Sequence, residues 1–287
     1  MDIKEKLKLE ATALDIRRDI LRMIRAGKAG HSGGALSSTE ILTALYFKLL
    51  RVDPQNPRWP DRDRFVLSAG HKCLVLYSAL AERGFFDKSV LDTYGALDSR
   101  IPGHPNMHKL PGVETNTGAL GHGLSIAGGM ALGLKIDKSE ARVYVVMGDG
   151  ELAEGSNWEA AAAASMHRLD NLIVFVDRNK LQISGPTVEV MNYEPLEERW
   201  RSFGWAVRTI DGHDLEAIIE TAEGAPFEKG KPSVIIADTV KSKGLSFAEG
   251  KVSYHYWKAK PEEMEQAERD LDEIEHGLKV RMEGAGI

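Results

Sequence analysis

The stretch Arg142-Val-Tyr-Val-Val-Met-Gly-Asp-Gly-Glu, residues 142–151, decides the fold, because an apolar run ends there in Gly148-Asp149-Gly150. A second apolar run, Leu172-Ile-Val-Phe-Val, leads in the same way into Asp177-Arg-Asn-Lys-Leu, residues 177–181. The alanine-rich segment between them is typical of a helix, so the three segments predict a strand–helix–strand unit. Ligands of open parallel sheets bind at the carboxyl ends of the strands. Asp149 and Asn179 are therefore expected side by side at that edge.

On either side of this unit, further Val- and Ile-rich runs alternate with helical patterns. Strands are predicted at 64–67, 205–210 and 233–237, with helices at about 72–83 and 214–222; the helix inside the unit is predicted at 160–166. Continuous apolar strands are typical of a parallel sheet that helices cover on both faces. The predicted fold class is therefore α/β, with a mostly parallel sheet. We expect one domain over residues 1–287, with an acidic helical C-terminal extension at about 261–285.

Two patterns near the N-terminus and one in mid-chain predict further helices. Apolar residues spaced 4-3-4-3 predict an amphipathic helix that ends near Gly27; they are Leu9, Ala13, Ile16, Ile20 and Met23. After a glycine-rich loop at 30–34, Ser37 and Glu40 form the pattern of a capping box for a helix to about Leu50. The segment 121–134 is apolar all round, which predicts a buried helix.

Composition excludes several classes of protein. The 287 residues carry 37 basic and 43 acidic side chains, and the segment 262–275 alone holds eight acidic residues and one basic residue. No basic face for nucleic acid is expected. The single cysteine, Cys73, excludes an internal disulfide and a four-cysteine zinc site. The charged N-terminus and the short apolar runs predict neither a signal peptide nor a membrane span, so we expect a cytoplasmic protein.

The residues at the sheet edge are suited to a hard cation. Asp149 offers a carboxylate oxygen, Asn179 an amide oxygen and Leu181 a backbone carbonyl, which leaves about three of the six positions of Mg²⁺ for phosphate and water. An isolated Gly-Asp-Gly is more often only a turn. The two flanking strands and the asparagine about 30 residues on favour the site. The spacing matches neither an EF-hand nor a Walker loop.

Histidines are concentrated on glycine loops. Five of the nine directly follow a glycine, where chance predicts about one; they are His31, His71, His104, His122 and His213. Any one of them alone would be interpreted as a hydrogen-bonded loop residue. Together they predict a histidine-lined cleft over a phosphate ester, because imidazole is suited to proton transfer near neutral pH.

The ordered motifs resemble those of the transketolase family over roughly residues 10–260. The matching segments are 30–37, 68–71, 102–105, 114–123, 148–179, 211–214 and 241–255. The chain is similar to the N-terminal subunit of a split transketolase, because it stops where the second domain of a full transketolase begins. The resemblance implies thiamin diphosphate and Mg²⁺ (or Ca²⁺) as cofactors, and sugar phosphates as substrates.

The resemblance also implies residue roles. Asp149, Asn179 and the Leu181 carbonyl would bind the metal, and His31, His104 and His255 would face the sugar. Contact with thiamin diphosphate is implied for His71, Gly118, Ala119, Leu120, Gly148, Gly150, Asn179 and Ile183, and for Glu154 at the subunit interface. Two residues depart from the family pattern: Ala119 replaces a proline and His122 replaces a glutamine.

The resemblance implies a two-carbon ketol transfer that this chain cannot complete alone. In the family, the glutamate that activates the cofactor lies in the pyrimidine-binding domain, which is absent here. We therefore expect a companion chain with the pyrimidine-binding and C-terminal domains, and an assembly with two copies of each chain. The alternatives are an E1-type subunit of a 2-oxo acid dehydrogenase, a deoxyxylulose phosphate synthase-like enzyme, a non-catalytic cofactor-binding regulatory half, and a magnesium-dependent phosphatase or nucleotide-binding module.

Overall fold

A parallel five-stranded sheet lies at the centre of the computed structural model, which describes residues 1–286. The sheet consists of β2 (Arg64–Leu67), β3 (Val143–Gly148), β4 (Leu172–Arg178), β5 (Ala206–Asp211) and β6 (Ser233–Asp238). Two short strands, β1 (Ala29–Gly30) and β7 (Trp257–Lys258), form a separate antiparallel ribbon. The helices are α1 (Ile3–Gly27), α2 (Ser32–Ser37), α3 (Thr39–Ala44), α4 (Cys73–Arg83), α5 (Gly123–Ile136), α6 (Gly155–Met166), α7 (Thr187–Val190), α8 (Leu196–Ser202), α9 (Leu215–Glu223) and α10 (Pro261–Gly284). Short 3-10 helices lie at Gly70–Lys72, Lys88–Thr93, Gly150–Ala153 and Val252–Tyr254, and a π-helical turn at Leu45–Leu49.

The strand order is β2-β3-β4-β6-β5, and every neighbouring pair is parallel. This confirms the predicted α/β class and the strand–helix–strand unit of β3, α6 and β4. In the register of that unit, Gly148 lies opposite Asp177. Asp149 and Asn179 therefore follow neighbouring strand ends at the same edge of the sheet.

Helices cover both faces of the sheet, which explains why its strands are apolar throughout. Along β3, Tyr144 and Val146 pack into a core with α1, α3, α4 and α9. Val143, Val145 and Met147 point the other way and pack into a second core with α5, α6 and α8. Because successive side chains of a strand alternate between faces, a sheet buried on both sides needs apolar residues at every position.

The capping box predicted for Ser37 and Glu40 is wrong. Ser37 ends α2, a helix that begins inside the predicted glycine-rich loop, and α3 follows only from Thr39. The Ser37 hydroxyl donates to Asp177 Oδ2 at 2.6 Å, and Glu40 accepts from Arg17 at 2.6 Å. Both polar groups are used in buried contacts with distant elements, so neither is available to cap a helix.

The buried helix predicted at 121–134 is only partly buried. α5 contacts the sheet through one face, on which Gly123, Leu124, Ala127 and Ala131 are buried. Gly129 and Gly133 are exposed on the opposite face, which no other part of residues 1–286 covers. The helix is apolar all round, yet this chain provides a partner for only one side of it.

The two ends of the chain pack together beside the sheet. α10 lies along α1, and Arg18 of α1 binds Asp272 of α10 at 2.9 Å. The antiparallel ribbon of β1 and β7 places Gly30 opposite Trp257. The residues just after Gly30 therefore lie close to the residues just before Trp257. Among the helices of residues 1–286, none is long and apolar enough to cross a lipid bilayer.

Candidate active site

A cavity of about 260 Å³ opens at the carboxyl edge of β3 and β4. The predicted site residues that line it are His31, His71, Gly118, Leu120, Gly148, Asp149, Gly150, Asn179, Leu181, Ile183 and His255. They come from six separate parts of the chain. The fold therefore brings into one cavity most of the residues that the sequence singled out.

The oxygen donors predicted to bind a metal lie in the two loops that follow β3 and β4. Asp149 Oδ1 accepts from the N–H of Gly150 at 2.8 Å, and Oδ2 accepts from the N–H of Lys180 at 2.5 Å. Asn179 Oδ1 accepts from the N–H of Leu181 at 3.2 Å. These contacts hold both side chains at the cavity wall and leave lone pairs on each oxygen.

Asp149 is a buried carboxylate without a cationic partner. No lysine, arginine or histidine nitrogen within the described chain forms an ion pair with it. Burial and the charge of Asp177 raise the pKa of Asp149 to about 6. A buried carboxylate that has only backbone partners fits a bound divalent cation, as does the mixed set of carboxylate, amide and carbonyl oxygens.

Asp177 has the cationic partner that Asp149 lacks. Lys72 Nζ donates to Asp177 Oδ2 at 2.5 Å, and Ser37, Ser38 and Thr239 also donate hydroxyl hydrogen bonds to this carboxylate. Burial alone would raise the pKa of Asp177, but the Lys72 ammonium and the hydroxyls lower it to about 2. The two neighbouring carboxylates thus differ because only one of them is paired.

Five residues of the cavity wall were not predicted as site residues from the sequence: Gly34, Lys72, Glu151, Gln182 and Lys241. Lys241 Nζ donates to the Leu181 carbonyl at 3.1 Å, and burial lowers the pKa of this lysine to about 8. Glu151 is buried and accepts from Ser68 and from the N–H groups of Gly121 and Gly148. Their position in the sequence could have identified them, since each lies within a few residues of a predicted motif.

Four histidines lie together at the mouth of the cavity. The His31 ring centroid is 5.3 Å from that of His71, 5.6 Å from that of His255 and 6.1 Å from that of His104. His71 and His255 stack at 5.3 Å. The buried Nδ1 of His255 has no hydrogen-bond partner in the described residues, so it is available to a ligand.

Three of these imidazoles are neutral at physiological pH. Burial, followed by the charges of neighbouring residues, lowers the pKa of His31 to about 4, of His71 to about 2 and of His255 to about 3. A neutral imidazole has one N–H donor and one acceptor nitrogen. Each ring can therefore donate to a hydroxyl of a ligand or accept from one without a change of charge.

Three predicted residues do not line the cavity. His104 is exposed and lies beside it, with its ring against Gly118, where an added Cβ would be 2.7 Å from His104 Cδ2. Ala119 and Glu154 are exposed at its rim: Ala119 lies between the lining residues Gly118 and Leu120, and an added Cβ at Gly121 would lie 2.5 Å from Glu154 Cβ. His122, which replaces the glutamine of the family pattern, directly precedes α5, and its Nδ1 lies 3.3 Å from the Leu120 carbonyl.

The cavity wall fits an anionic group next to the oxygen donors. Two ammonium groups, of Lys72 and Lys241, lie at it, and Gly148 and Gly150 place bare backbone there. A Cβ on Gly150 would lie 2.8 Å from Gln182 Cγ, so a larger residue would crowd the wall. Lysines are common partners of phosphate in proteins, so this wall fits a phosphate group.

Comparisons with known proteins agree with this picture. Residues 10–280 match the family model described as transketolase, thiamine diphosphate binding domain. The chain is 45% identical over 265 residues to one of the subunits of the apulose-4-phosphate transketolase of Phocaeicola vulgatus, covering 92% of this chain and 94% of that protein. It is 45% identical over 269 residues to the 6-deoxy-6-sulfo-D-fructose transketolase subunit SqwG of a Clostridium species, covering 94% of this chain and 98% of that protein.

The chain is also similar to solved transketolase structures, but it matches a smaller part of their length. The transketolase of Campylobacter jejuni matches with a TM-score of 0.86 and 33% identity, over 95% of this chain and 43% of that one. The chain thus spans less than half of the solved transketolase, but nearly all of the two separate subunits.

Proposed function

The chain belongs to the transketolase family, whose thiamine diphosphate-binding domain it matches over residues 10–280, and from this premise we propose that it is the cofactor-binding subunit of a two-chain transketolase. The observation that carries the proposal is the shared cavity. It combines the oxygen donors of Asp149, Asn179 and Leu181 with the neutral imidazoles of His31 and His255.

In this proposal, the two loops after β3 and β4 hold the diphosphate end of thiamin diphosphate. Asp149, Asn179 and the Leu181 carbonyl bind Mg²⁺, and Lys72 and Lys241 balance the remaining negative charge. His71, Gly118, Leu120 and Ile183 line the rest of the cofactor-binding wall. Ala119 and Glu154 lie at the rim, where the cofactor meets the companion chain. Ca²⁺, with the same preference for oxygen donors, would fit the same ligands.

When bound, thiamin diphosphate supplies the electron sink that a two-carbon ketol transfer needs. The role of this chain is to bind the sugar and to form hydrogen bonds with its hydroxyl groups. His31 and His255 face the sugar, and the unpartnered Nδ1 of His255 accepts from or donates to a donor hydroxyl. His104 reaches the sugar from the rim. Because the rings of His31 and His255 are neutral, they can donate hydrogen bonds to sugar hydroxyls and accept them without burying a charge.

The exposed face of α5 supports the proposal that a companion chain is required. An added Cβ at Gly129 or Gly133 would meet nothing within 4 Å in residues 1–286. Ile136 at the end of α5 is 71% exposed, and Met166 at the end of the adjacent α6 is 80% exposed. Both helices start at the cavity rim, α5 just after Leu120 and α6 just after Glu154. A chain that covered this face would also reach the cofactor.

We propose a ketose with an anionic end group as donor and an aldose phosphate as acceptor. The two similar subunits are named for a phosphorylated sugar and for a sulfonated sugar. The cavity mouth of this chain offers neutral histidines to hydroxyls, whereas the anionic end of a sugar would extend toward the companion. We therefore expect the companion chain to bind the anionic end group of the substrate.

A donor panel tests the reaction type. The chain is mixed with the product of the adjacent reading frame, thiamin diphosphate and Mg²⁺, and ribose 5-phosphate is the acceptor. The proposal predicts two-carbon transfer from xylulose 5-phosphate or from another phosphorylated or sulfonated ketose. Decarboxylation of pyruvate in place of this transfer would contradict the proposal and favour an E1-type or deoxyxylulose phosphate synthase-like enzyme. Cofactor binding without either reaction would favour a regulatory half.

A further inference from the structure

The loop that follows β6, residues 239–244, brings Lys241 into the cavity. Lys241 is buried, and its Nζ donates to the Leu181 carbonyl at 3.1 Å. β6 is the neighbour of β4 on the side away from β3, so this ammonium approaches the oxygen donors from outside the strand–helix–strand unit. The position of Lys241 depends on the path of this loop.

The backbone of the loop is held in an unfavourable conformation. Ser242, next to Lys241, is a non-glycine residue with a φ of 63°. Gly244 has a φ of 96°, and an added Cβ there would lie 3.0 Å from Arg17 Nε. Left-handed backbone at a non-glycine residue costs free energy, and it persists when surrounding contacts determine it. The loop therefore needs outside partners.

A chain of polar contacts, buried at Arg17 and Glu40 and exposed at Val240, supplies those partners on both sides of Lys241. The Val240 N–H donates to His213 Nε2 at 2.8 Å, so Nδ1 carries the proton of the neutral ring and donates to Glu40 Oε2 at 2.9 Å. Glu40 Oε1 accepts from Arg17 Nη2 at 2.6 Å. Arg17 Nε then donates to the Lys243 carbonyl at 3.2 Å, which closes the circuit.

We propose that Arg17, Glu40 and His213 form a partly buried relay that positions Lys241 for cofactor binding, so that His213 is a positioning residue of a site it does not line. The inference rests on the function proposed above. The three side chains come from α1, α3 and the loop after β5, which are far apart in sequence. Their contacts converge on Val240 and Lys243, the residues on either side of the Lys241–Ser242 pair.

The relay also accounts for a motif that the proposed chemistry leaves without a role. Gly212-His213-Asp214 matches the family pattern, yet His213 is absent from the wall of the cofactor cavity as the described residues form it. Gly212 has no room for a side chain, since an added Cβ would lie 2.5 Å from Thr239 Cγ2. The backbone of the His213 loop is thus packed directly against the start of the Lys241 loop.

A double-mutant cycle on the 287-residue chain tests the relay. Binding of thiamin diphosphate with Mg²⁺ is measured by titration calorimetry for the wild type, His213→Ala, Lys241→Met and the double variant. Losing the hydrogen bonds of His213 is expected to weaken binding about 10-fold. The double variant is expected to bind no more weakly than Lys241→Met alone, because the two residues then act through one ammonium group.

A conservative variant separates positioning from a purely structural effect. His213→Gln keeps an acceptor for the Val240 N–H and a donor for Glu40, so it is expected to recover most of the affinity. Asp63→Asn serves as the matched control. Like His213, the buried Asp63 accepts hydrogen bonds from the backbone, here from the N–H of Arg51 at 2.9 Å and that of Arg142 at 2.8 Å. It lies at the opposite edge of the sheet from the cavity. Its loss is expected to lower the melting temperature without changing cofactor affinity.

The outcomes of the cycle are distinct. Unchanged affinity of His213→Ala, or affinity losses of His213→Ala and Lys241→Met that multiply in the double variant, would overturn the relay and leave the proposed function standing. Loss of affinity in Asp63→Asn as large as in His213→Ala would also overturn it. A wild type that does not bind thiamin diphosphate even when mixed with the companion chain would overturn the proposed function itself, and the relay with it.

Discussion

The contrast between two neighbouring carboxylates is the clearest feature at the scale of single residues. Asp177 is paired with Lys72 and three hydroxyls, whereas Asp149 has only backbone partners at the cavity wall. Burial of a charged group is costly unless a counter-charge balances it. The proposed Mg²⁺ supplies that counter-charge to Asp149, while Asp177 holds Lys72 in place beside it.

Asp149→Asn is predicted to abolish cofactor binding that depends on Mg²⁺. The amide keeps the shape of the side chain but removes the charge that the cation needs, so affinity for thiamin diphosphate with Mg²⁺ is expected to fall by about 100-fold or more. Calorimetric titration measures this fall. The exposed Asp61→Asn is the control and is expected to bind as the wild type does. Equal affinity in Asp149→Asn and wild type would exclude Asp149 as a metal ligand.

The partly buried histidines of the cavity predict a loss of stability in mild acid. The pKa values of His31, His71 and His255 in the folded chain lie well below the ordinary value near 6.5. Below that value the histidines of the unfolded chain bind protons, whereas those of the folded chain stay neutral. The free energy of unfolding is therefore at its full value above about pH 6.5 and decreases as the pH falls toward the folded pKa values. Melting temperatures from about pH 7.5 to pH 5 measure the effect.

His255→Gln is predicted to flatten this pH dependence, because it removes one of the groups that must stay neutral in the folded chain. The exposed His276→Gln is the matched control, expected to leave the slope as in the wild type. A slope in His255→Gln as steep as that of the wild type would show that the histidine group is not its origin.

At the scale of elements, α5 has one packed face and one open face, and glycines on the two faces predict opposite effects. Gly123→Ala is expected to destabilise the chain by about 1–3 kcal/mol, since the new Cβ would lie 2.5 Å from Ser68 Cα. Gly133→Ala meets nothing within 4 Å and is expected to stabilise the isolated chain by up to about 1 kcal/mol. Urea denaturation of both variants measures the two changes.

The same pair tests whether the open face of α5 binds the companion chain. Gly133→Ala is expected to weaken association with the companion although it stabilises the isolated chain, because it adds a methyl group to a surface proposed to be closely packed. Association that stays as tight as in the wild type would place the companion elsewhere on the chain.

The sequence predicted the sheet well because its strands are buried on both faces. Continuous apolar runs such as those of β3 and β4 have few alternative structures, and their ends fix where Asp149 and Asn179 lie. The exposure of one face of α5 could not be predicted, because an exposed apolar face has the same composition as a buried one. The capping box failed for a related reason, since Ser37 is used by Asp177, a residue 140 positions away.

The lysines of the cavity show what local patterns leave out. Lys72 and Lys241 are separated by 169 positions, and neither lies in a periodic pattern that predicts burial. Their charges meet only because the 3-10 helix Gly70–Lys72 and the loop after β6 converge on the same sheet edge. Long-range contacts of this kind follow from the assembled fold and not from the composition of a segment.

At the scale of the whole molecule, the chain contains a cofactor cavity with an open mouth and an apolar helix face beside it. The residues of the cavity account for metal, diphosphate and sugar hydroxyls in the proposed function. A carboxylate against the pyrimidine ring is expected from the companion chain. Two of each chain would then form the active assembly, because each cavity is completed across an interface between chains.

The most direct test of the two-chain proposal is ketol transfer measured with each chain alone and with the two mixed, in the presence of thiamin diphosphate and Mg²⁺. We expect no transfer from either chain alone and transfer when they are mixed, with the maximum near equal molar amounts. Robust transfer by the purified 287-residue chain alone would contradict the proposal.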